Sequence, residues 1–433
     1  MVAQVCGVYF GEFLVGALQY TAEDHNASFE YSEEWLQYGF SVAPLYLPLR
    51  TGVFRFPTLN YDTYKGLPAI FADSLPDDFG NALINAWQAR KGLDPQSFRP
   101  LDRLLYTGQR GMGALEYKPP NIIGNNVPFE VDVSELMGIA QKVLNHRAEF
   151  EQSLKDDDAM THLLQIGTSA GGARPKAVIA VNKVRTKVLS GQVDAPEGFE
   201  HYLIKFDGIS EKDKSKQTFG DPLGFGVMEY VYYQMARKCD IEMMHCELYH
   251  ENNRRHFMTK RFDRIGNQKY HCATLCAMDH ADFKKPGQYS YEQLLLVLRK
   301  LKLGYETQVE IFKRMVFNVI ARNHDDHTKN FSFFVDDDFN WQLAPAYDVA
   351  FSYKPDSEWV HQHQMSLNGK RDNFVRADLL TVAELITNLT PQKANKIIDN
   401  TINVVSSWTE MAETENVPHE LIKFIASSHR LKV

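Results

Sequence analysis

Apolar and polar positions alternate at the start of the chain. "VCGVYFGEFLVGAL" (5–18) and "ASFEYSEEWL" (27–36) keep that alternation around a glycine turn, which predicts short strands. "PDDFGNALINAWQARKG" (76–92) changes to helical spacing, with acids at its start and Gly92 at its stop. Proline, glycine and asparagine then gather in "YKPPNIIGNNVPF" (117–129), the best candidate boundary. Residues 1–120 are therefore expected to form an α+β unit.

Beyond the boundary Leu136, Ile139, Ala140, Val143 and Leu144 recur at helical spacing. "KAVIAVN" (176–182) and "HYLIKFDG" (201–208) read as strands, and "FGVMEYVYYQMARK" (225–238) as an amphipathic helix. "CELYH", the turn "ENNR" and "HFMTKRF" predict a hairpin. Further on, Ser290 and Gln293 offer a capping box to "LLLVLRKL". Val309, Phe312, Val316, Val319 and Ile320 mark one face of a helix over 307–322. Residues 121–262 thus look strand-rich and 263–433 mostly helical.

Composition narrows the class. The chain has 433 residues, 44% hydrophobic and 24% charged, ordinary values for a globular protein of two or three domains. Its longest aliphatic run, "LLLVL" (294–298), is too short for a membrane span. The N-terminus lacks a basic region and carries Glu12, unlike a signal peptide. Five cysteines, an odd number, suit a reducing cytoplasm. A net charge of −8 argues against gripping DNA by bulk charge.

The chemistry concentrates in "ARNHDDHTKNFSF" (321–333), followed by "WQLAPAYDV" (341–349). A loop leaves a helix there and enters a hairpin. Asp325 and Asn330 stand five apart, and the hairpin returns Asp348. Phosphoryl transfer in kinases uses this spacing: an Asp takes the hydroxyl proton, while an Asn and a later Asp hold Mg²⁺. Lys329 could meet phosphate charge. Upstream, Lys205 on a predicted strand and Glu229 on the next helix repeat the pair that positions ATP phosphates. Gly171 and Gly172 in "IGTSAGGARPKAVIAV" let backbone approach phosphate, with Arg174 and Lys176 supplying charge, although no Walker pattern is present. Two other readings compete. "DDHTKN" can be a solvated turn, or His324, Asp325 and His327 can hold a hydrolytic metal.

Taken together, "TSAGGARPK" (168–176), "YLIKF" (202–206), "MEYVYYQMARKCDIEM" (228–243), "KRFDR" (260–264), "NHDDHTKNFSF" (323–333) and "LAPAYDV" (343–349) resemble the HipA-type serine/threonine toxin kinases of bacterial toxin–antitoxin modules. "GVYFGEFLVGAL", "DSLPDDF" and "GQRGMGALEY" resemble that family's N-terminal subdomain. The resemblance implies an α+β, protein-kinase-like bilobal fold with an added α+β N-terminal subdomain. It makes Asp325 the catalytic base and Asn330 and Asp348 the Mg²⁺ ligands. Gly171, Gly172, Ala173, Arg174, Pro175, Lys176 and Lys205 would contact ATP phosphates, with Lys260, Arg261 and Phe262 near adenine. His327, Thr328, Lys329, Asn330 and Tyr347 would complete the pocket. Arg174 replaces the family's usual glutamine, and Ser169 matches its autophosphorylated serine. The implied partners are a dimeric, HipB-like helix-turn-helix antitoxin that bridges to operator DNA, and a protein substrate of the aminoacyl-tRNA synthetase class, glutamyl-tRNA synthetase being the known type. Lys370 and Arg371 in "NGKRDNFVR" (368–376) become candidate DNA contacts. A small-molecule kinase and a nucleotide-binding co-repressor are the alternatives.

Other clusters carry blander expectations. His271, Cys272 and Cys276, with His245 and Cys246, match no zinc-knuckle spacing. "HQHQ" (361–364) reads as a polar surface strand, and "GQRGMG" (108–113) as a turn between strands.

Overall fold

The computed structural model describes residues 4–21, 23–90, 92, 94, 98–119, 129–134, 136–138, 141, 175–210, 220–221 and 223–433. Two compact units emerge: Met1–Gly226 with Glu247–Cys272, and Val227–Cys246 with Ala273–Val433. The two regions expected on either side of residue 120 fall together in the first unit. The helix Phe225–Lys238 belongs almost wholly to the second.

Strands β1 (Val5–Phe10) and β2 (Phe13–Thr21) form the predicted hairpin, turned at Gly11 with φ +59°. With β3 (Asn26–Tyr31) and β4 (Leu115–Lys118) they make an antiparallel sheet in the order β3-β2-β1-β4. The strand expected over 27–36 breaks at Ser32. Its side chain accepts the backbone N–H of Trp35 and caps a helix over Glu33–Tyr38 instead. Two adjacent acids in that first turn favour the helix. "GQRGMG" joins the helix Pro100–Thr107 to β4 rather than two strands. Its Gly113 N–H donates to the buried Asp263 carboxylate at 2.7 Å.

The second sheet of this unit is built from β5 (Lys176–Asn182), β6 (Val188–Ser190) and β7 (Phe199–Lys205). A small pair, β8 (Ile209–Ser210) and β9 (Gly220–Asp221), stands apart. The predicted hairpin appears as β10 (Cys246–Glu251) and β11 (Arg254–Lys260), giving the order β10-β11-β7-β5-β6. Ile179, Val181, Tyr202, Ile204 and Met258 from this sheet share one core with Leu83 and Ile84 of the helix Asp78–Arg90. The predicted helix around 136–144 lies largely outside the described residues.

A minor ribbon, β12 (Arg264–Ile265) with β13 (Gln268–Lys269), leads to β14 (Cys272–Thr274). In the second unit β14 joins β15 (Ser332–Val335) and β16 (Trp341–Leu343) in a three-stranded sheet. Helices dominate the rest. Ser290 and Gln293 do form a reciprocal capping box at the head of Tyr291–Lys300. The helix Tyr305–Ile320 buries Val309, Phe312, Val316, Val319 and Ile320, the face expected from their spacing. It stops two residues short of the predicted end because Arg322 turns left-handed, with φ +58°. Tyr232 fixes that turn by donating its hydroxyl to the Ala321 carbonyl at 2.7 Å. Among the described residues, no helix is long and apolar enough to cross a membrane.

Candidate active site

After Arg322 the chain runs irregularly into a 3-10 turn over Thr328–Asn330, and burial alternates from His324 to Lys329. His324, Asp326 and Thr328 are buried, whereas Asp325, His327 and Lys329 are only partly covered. One half of the polar cluster therefore anchors the loop and the other half is presented.

The inward half is fully engaged. Asp326 accepts from the Tyr291 hydroxyl at 2.8 Å, from His363 Nδ1 at 2.9 Å and from the Gln364 N–H at 2.7 Å. A buried carboxylate persists only with such partners. His324 lies against His363, ring centroids 4.1 Å apart, with Nδ1 3.2 Å from the Val360 carbonyl. Burial, then the neighbouring His363, pushes its pKa far down, so this ring is neutral. Thr328 donates to the Ala281 carbonyl at 2.5 Å. "HQHQ" is thus no surface strand: His363 and Gln364 are buried straps over the loop. Only the loop's need for partners explains their polarity, and spacing could not reveal it.

The outward half is partly exposed. Asp325 Oδ1 accepts the Trp359 indole N–H at 2.8 Å, and its side chain is 38% exposed. His327 Nε2 lies 3.8 Å from the same oxygen. The Asn330 Nδ2 donates to the Asp325 carbonyl at 2.7 Å, so its Oδ1 is the amide atom with lone pairs to offer a ligand. Tyr347 donates to the Lys329 carbonyl at 2.7 Å, with Ser332 Oγ 2.5 Å from its hydroxyl. Lys329 Nζ stands 5.0 Å from the Phe283 ring centre. Asp348 sits at φ +52°, a left-handed conformation that costs a non-glycine residue about 1–2 kcal/mol. Arg314 helps hold the chain before it, donating to the Ala344 carbonyl at 3.0 Å, while Ala346 N–H bonds Glu242. Asn330, Asp348, Asp326 and Asn323 line one cavity of about 20 Å³, room for a water-sized occupant.

Several other candidate residues lie on the first unit. Lys176 and Lys205 are buried and face each other in register across β5 and β7. Lys205 does not point to solvent, as an isolated strand lysine would; its Nζ lies 5.6 Å from the Phe257 ring centre. Pro175 accepts the Phe206 N–H at 3.2 Å. Lys260 pairs with Glu200 at 2.5 Å, and Arg261 with the buried Asp263 at 2.6 Å, with Phe262 between them in sequence. Glu229 is buried on the helix Phe225–Lys238, in the second unit. Ser169, Gly171, Gly172, Ala173 and Arg174 lie outside the described residues.

The candidate DNA contacts are engaged within the chain. Lys370 bonds Asp378 at 2.8 Å, and Arg371 Nε donates to the His363 carbonyl at 2.7 Å. His271 Nε2 lies 2.8 Å from the Val42 carbonyl, and burial holds its pKa down at about 4. Burial raises the Cys272 thiol strongly. Among the described residues, no three His, Cys, Asp or Glu side chains are grouped to hold a metal. A cation at Asn330 and Asp348 would have one amide and one carboxylate from the chain. That set fits Mg²⁺, which takes oxygen ligands and keeps waters and phosphate oxygens for the rest.

An antiparallel sheet unit followed by a helical unit with this loop and hairpin is a kinase-like α+β fold. The HipA-like C-terminal domain family matches residues 168–408, and the HipA N-terminal domain family matches residues 6–118. The chain belongs to the HipA family. A solved HipA of Shewanella oneidensis, in complex with HipB and operator DNA, covers 98% of this chain and 94% of its own at a TM-score of 0.66. At 15% identity it speaks for the fold. A Haemophilus influenzae protein named "Putative kinase" is 29% identical over 198 residues, 42% of this chain. The chain spans about half (52%) of that relative's length.

Proposed function

We propose that the chain is an ATP- and Mg²⁺-dependent serine/threonine protein kinase acting as the toxin of a HipA/HipB-like module. One observation carries this: Asn330 and Asp348 line one cavity, and the Asn330 amide is bonded to the carbonyl of Asp325, whose own carboxylate stays partly exposed. Asp325 keeps one carboxylate oxygen on Trp359, which aims the other at an incoming hydroxyl. As the hydroxyl oxygen bonds to the γ-phosphorus, the bond to the ADP oxygen breaks and the proton passes to Asp325. Asn330 and Asp348 would hold a divalent cation, which would supply charge neutralisation to the phosphates. Lys205 and Lys176 are the phosphate-binding cations of the first unit.

The proposal includes growth arrest by phosphorylating a cytoplasmic protein, with an aminoacyl-tRNA synthetase as the substrate class. It also includes silencing by phosphate on Ser169 and neutralisation by a HipB-like, DNA-binding antitoxin; membership of the HipA family supports this reading. The solved Shewanella complex, which holds HipA, HipB and operator DNA, supports the partner. The test is transfer of ³²P from ATP to candidate substrates and to the chain itself, followed by phosphoamino-acid analysis. Phosphoserine or phosphothreonine that disappears with Asp325→Asn is expected. Label confined to a small metabolite would favour a small-molecule kinase instead.

A further inference from the structure

The hydrogen bonds behind the loop run in one direction. Asp326, holding three donors as a carboxylate, accepts from the Tyr291 hydroxyl at 2.8 Å. The Tyr291 oxygen must then accept, and Asn318 Nδ2 lies 3.1 Å away. That turns the Asn318 Oδ1 toward Asn323 Nδ2, at 2.9 Å. Each amide is oriented by the one before it, so the last atom of the chain is fixed as the Asn323 Oδ1. Asn323 is 3% exposed, and this oxygen is buried with no hydrogen-bond partner. Its residue lines the cavity shared by Asn330 and Asp348. An orphaned buried acceptor costs stability unless an occupant donates to it.

We infer that Asn323 is a positioning residue for the cation: its Oδ1 accepts a hydrogen bond from a water on a divalent metal held by Asn330 and Asp348. This rests on the metal assignment above and adds a third oxygen to it. A cation keeping several waters needs acceptors around it, and outer-shell partners of this kind set affinity and geometry. Tyr291, Asn318 and Asp326 would then couple the loop anchor to the metal through one directed relay.

Mn²⁺ serves as the probe, its binding to the full chain with a non-hydrolysable ATP analogue read from loss of the free-ion paramagnetic resonance signal. Asn323→Ala and Asn323→Asp both remove the amide donor to Asn318, but only Asp retains an oxygen toward the cavity. Ala is expected to weaken Mn²⁺ about tenfold; Asp should bind as tightly as wild type or tighter. Equal losses in both variants, or none in Ala, overturn the inference while leaving Asn330 and Asp348 in place. If Ala does not fold, Asp alone decides: weakened binding overturns it. Wild-type protein that binds no Mn²⁺, or binds it unchanged in Asp348→Ala, overturns the underlying metal assignment too.

Discussion

Asp325 and Asp326 are neighbours in sequence and opposites in setting: one offers its carboxylate outward against Trp359, the other is sealed under Tyr291, His363 and Gln364. Exchange of each for asparagine should therefore do different things. Asp325→Asn should leave the thermal midpoint nearly unchanged and lower phosphoryl transfer about 10²–10⁴-fold, the usual share of a positioned base. Asp326→Asn should cost on the order of 2–4 kcal/mol in denaturant unfolding, because three donors lose a charged acceptor. Equal stability for the two variants would contradict the assignment.

Both carboxylates are visible in "HDDH", and the five-residue spacing to Asn330, with the family resemblance beside it, singles out Asp325 as the candidate base. Strand alternation, the capping box and the apolar face of Tyr305–Ile320 follow from local physics and were readable directly. His363, Gln364 and Trp359 were not, because their partners lie more than thirty residues away in sequence. Ser32 shows the same limit at short range: alternation continued into "SEEWL", yet a side-chain cap turned that stretch into helix.

Asp348→Ala should abolish the Mg²⁺-dependent part of nucleotide binding. Calorimetry with a non-hydrolysable ATP analogue, with Mg²⁺ and then with EDTA, separates that part. Wild type should lose affinity on chelation; the variant should be weak in both conditions. A variant still sensitive to EDTA would place the cation elsewhere. Removing the aspartate also relieves the left-handed backbone only if glycine replaces it, so Asp348→Gly should be about 1 kcal/mol more stable than Ala.

His256 makes stability fall in mild acid. The Asp207 N–H donates to its Nδ1 at 2.9 Å, and the Asp207 carboxylate accepts the N–H groups of Gly224 and Gly226 at the head of the helix bearing Glu229. Burial, then Arg254, lowers the His256 pKa from 6.5 to about 4. Between those values the unfolded chain binds more protons, so stability rises with pH and is lost as pH falls from 6.5 toward 4. The span corresponds to at most ~3 kcal/mol. His271 and His280, each lowered to about 4 by burial, add the same sign. His256→Gln keeps an acceptor for Asp207 and removes one titration, so its midpoint should fall less steeply over this range. Parallel curves would exclude His256 as a contributor.

Lys370 and Arg371 separate DNA binding from catalysis. Lys370 has a 45% exposed side chain and pairs with Asp378 beside a turn at Gly369. Losing it should cost no more than about 1 kcal/mol, as for exposed ion pairs. Arg371 instead ties down the carbonyl of His363, the residue that bonds Asp326, and its own carbonyl accepts the His363 N–H at 3.0 Å. Arg371→Ala should therefore loosen the strap behind the Asp325–Asp326 loop and reduce the proposed phosphoryl transfer, whereas Lys370→Ala should leave transfer intact. With net charge −8, the chain alone should give no specific mobility shift, and should supershift DNA only with the antitoxin. If Lys370 touches a phosphate in that complex, its removal should lower the salt slope by about one, equally on all sequences. An Arg371→Ala variant that weakens the ternary complex yet keeps full kinase activity would reverse this division, making Arg371 a DNA contact and not a brace for Asp326.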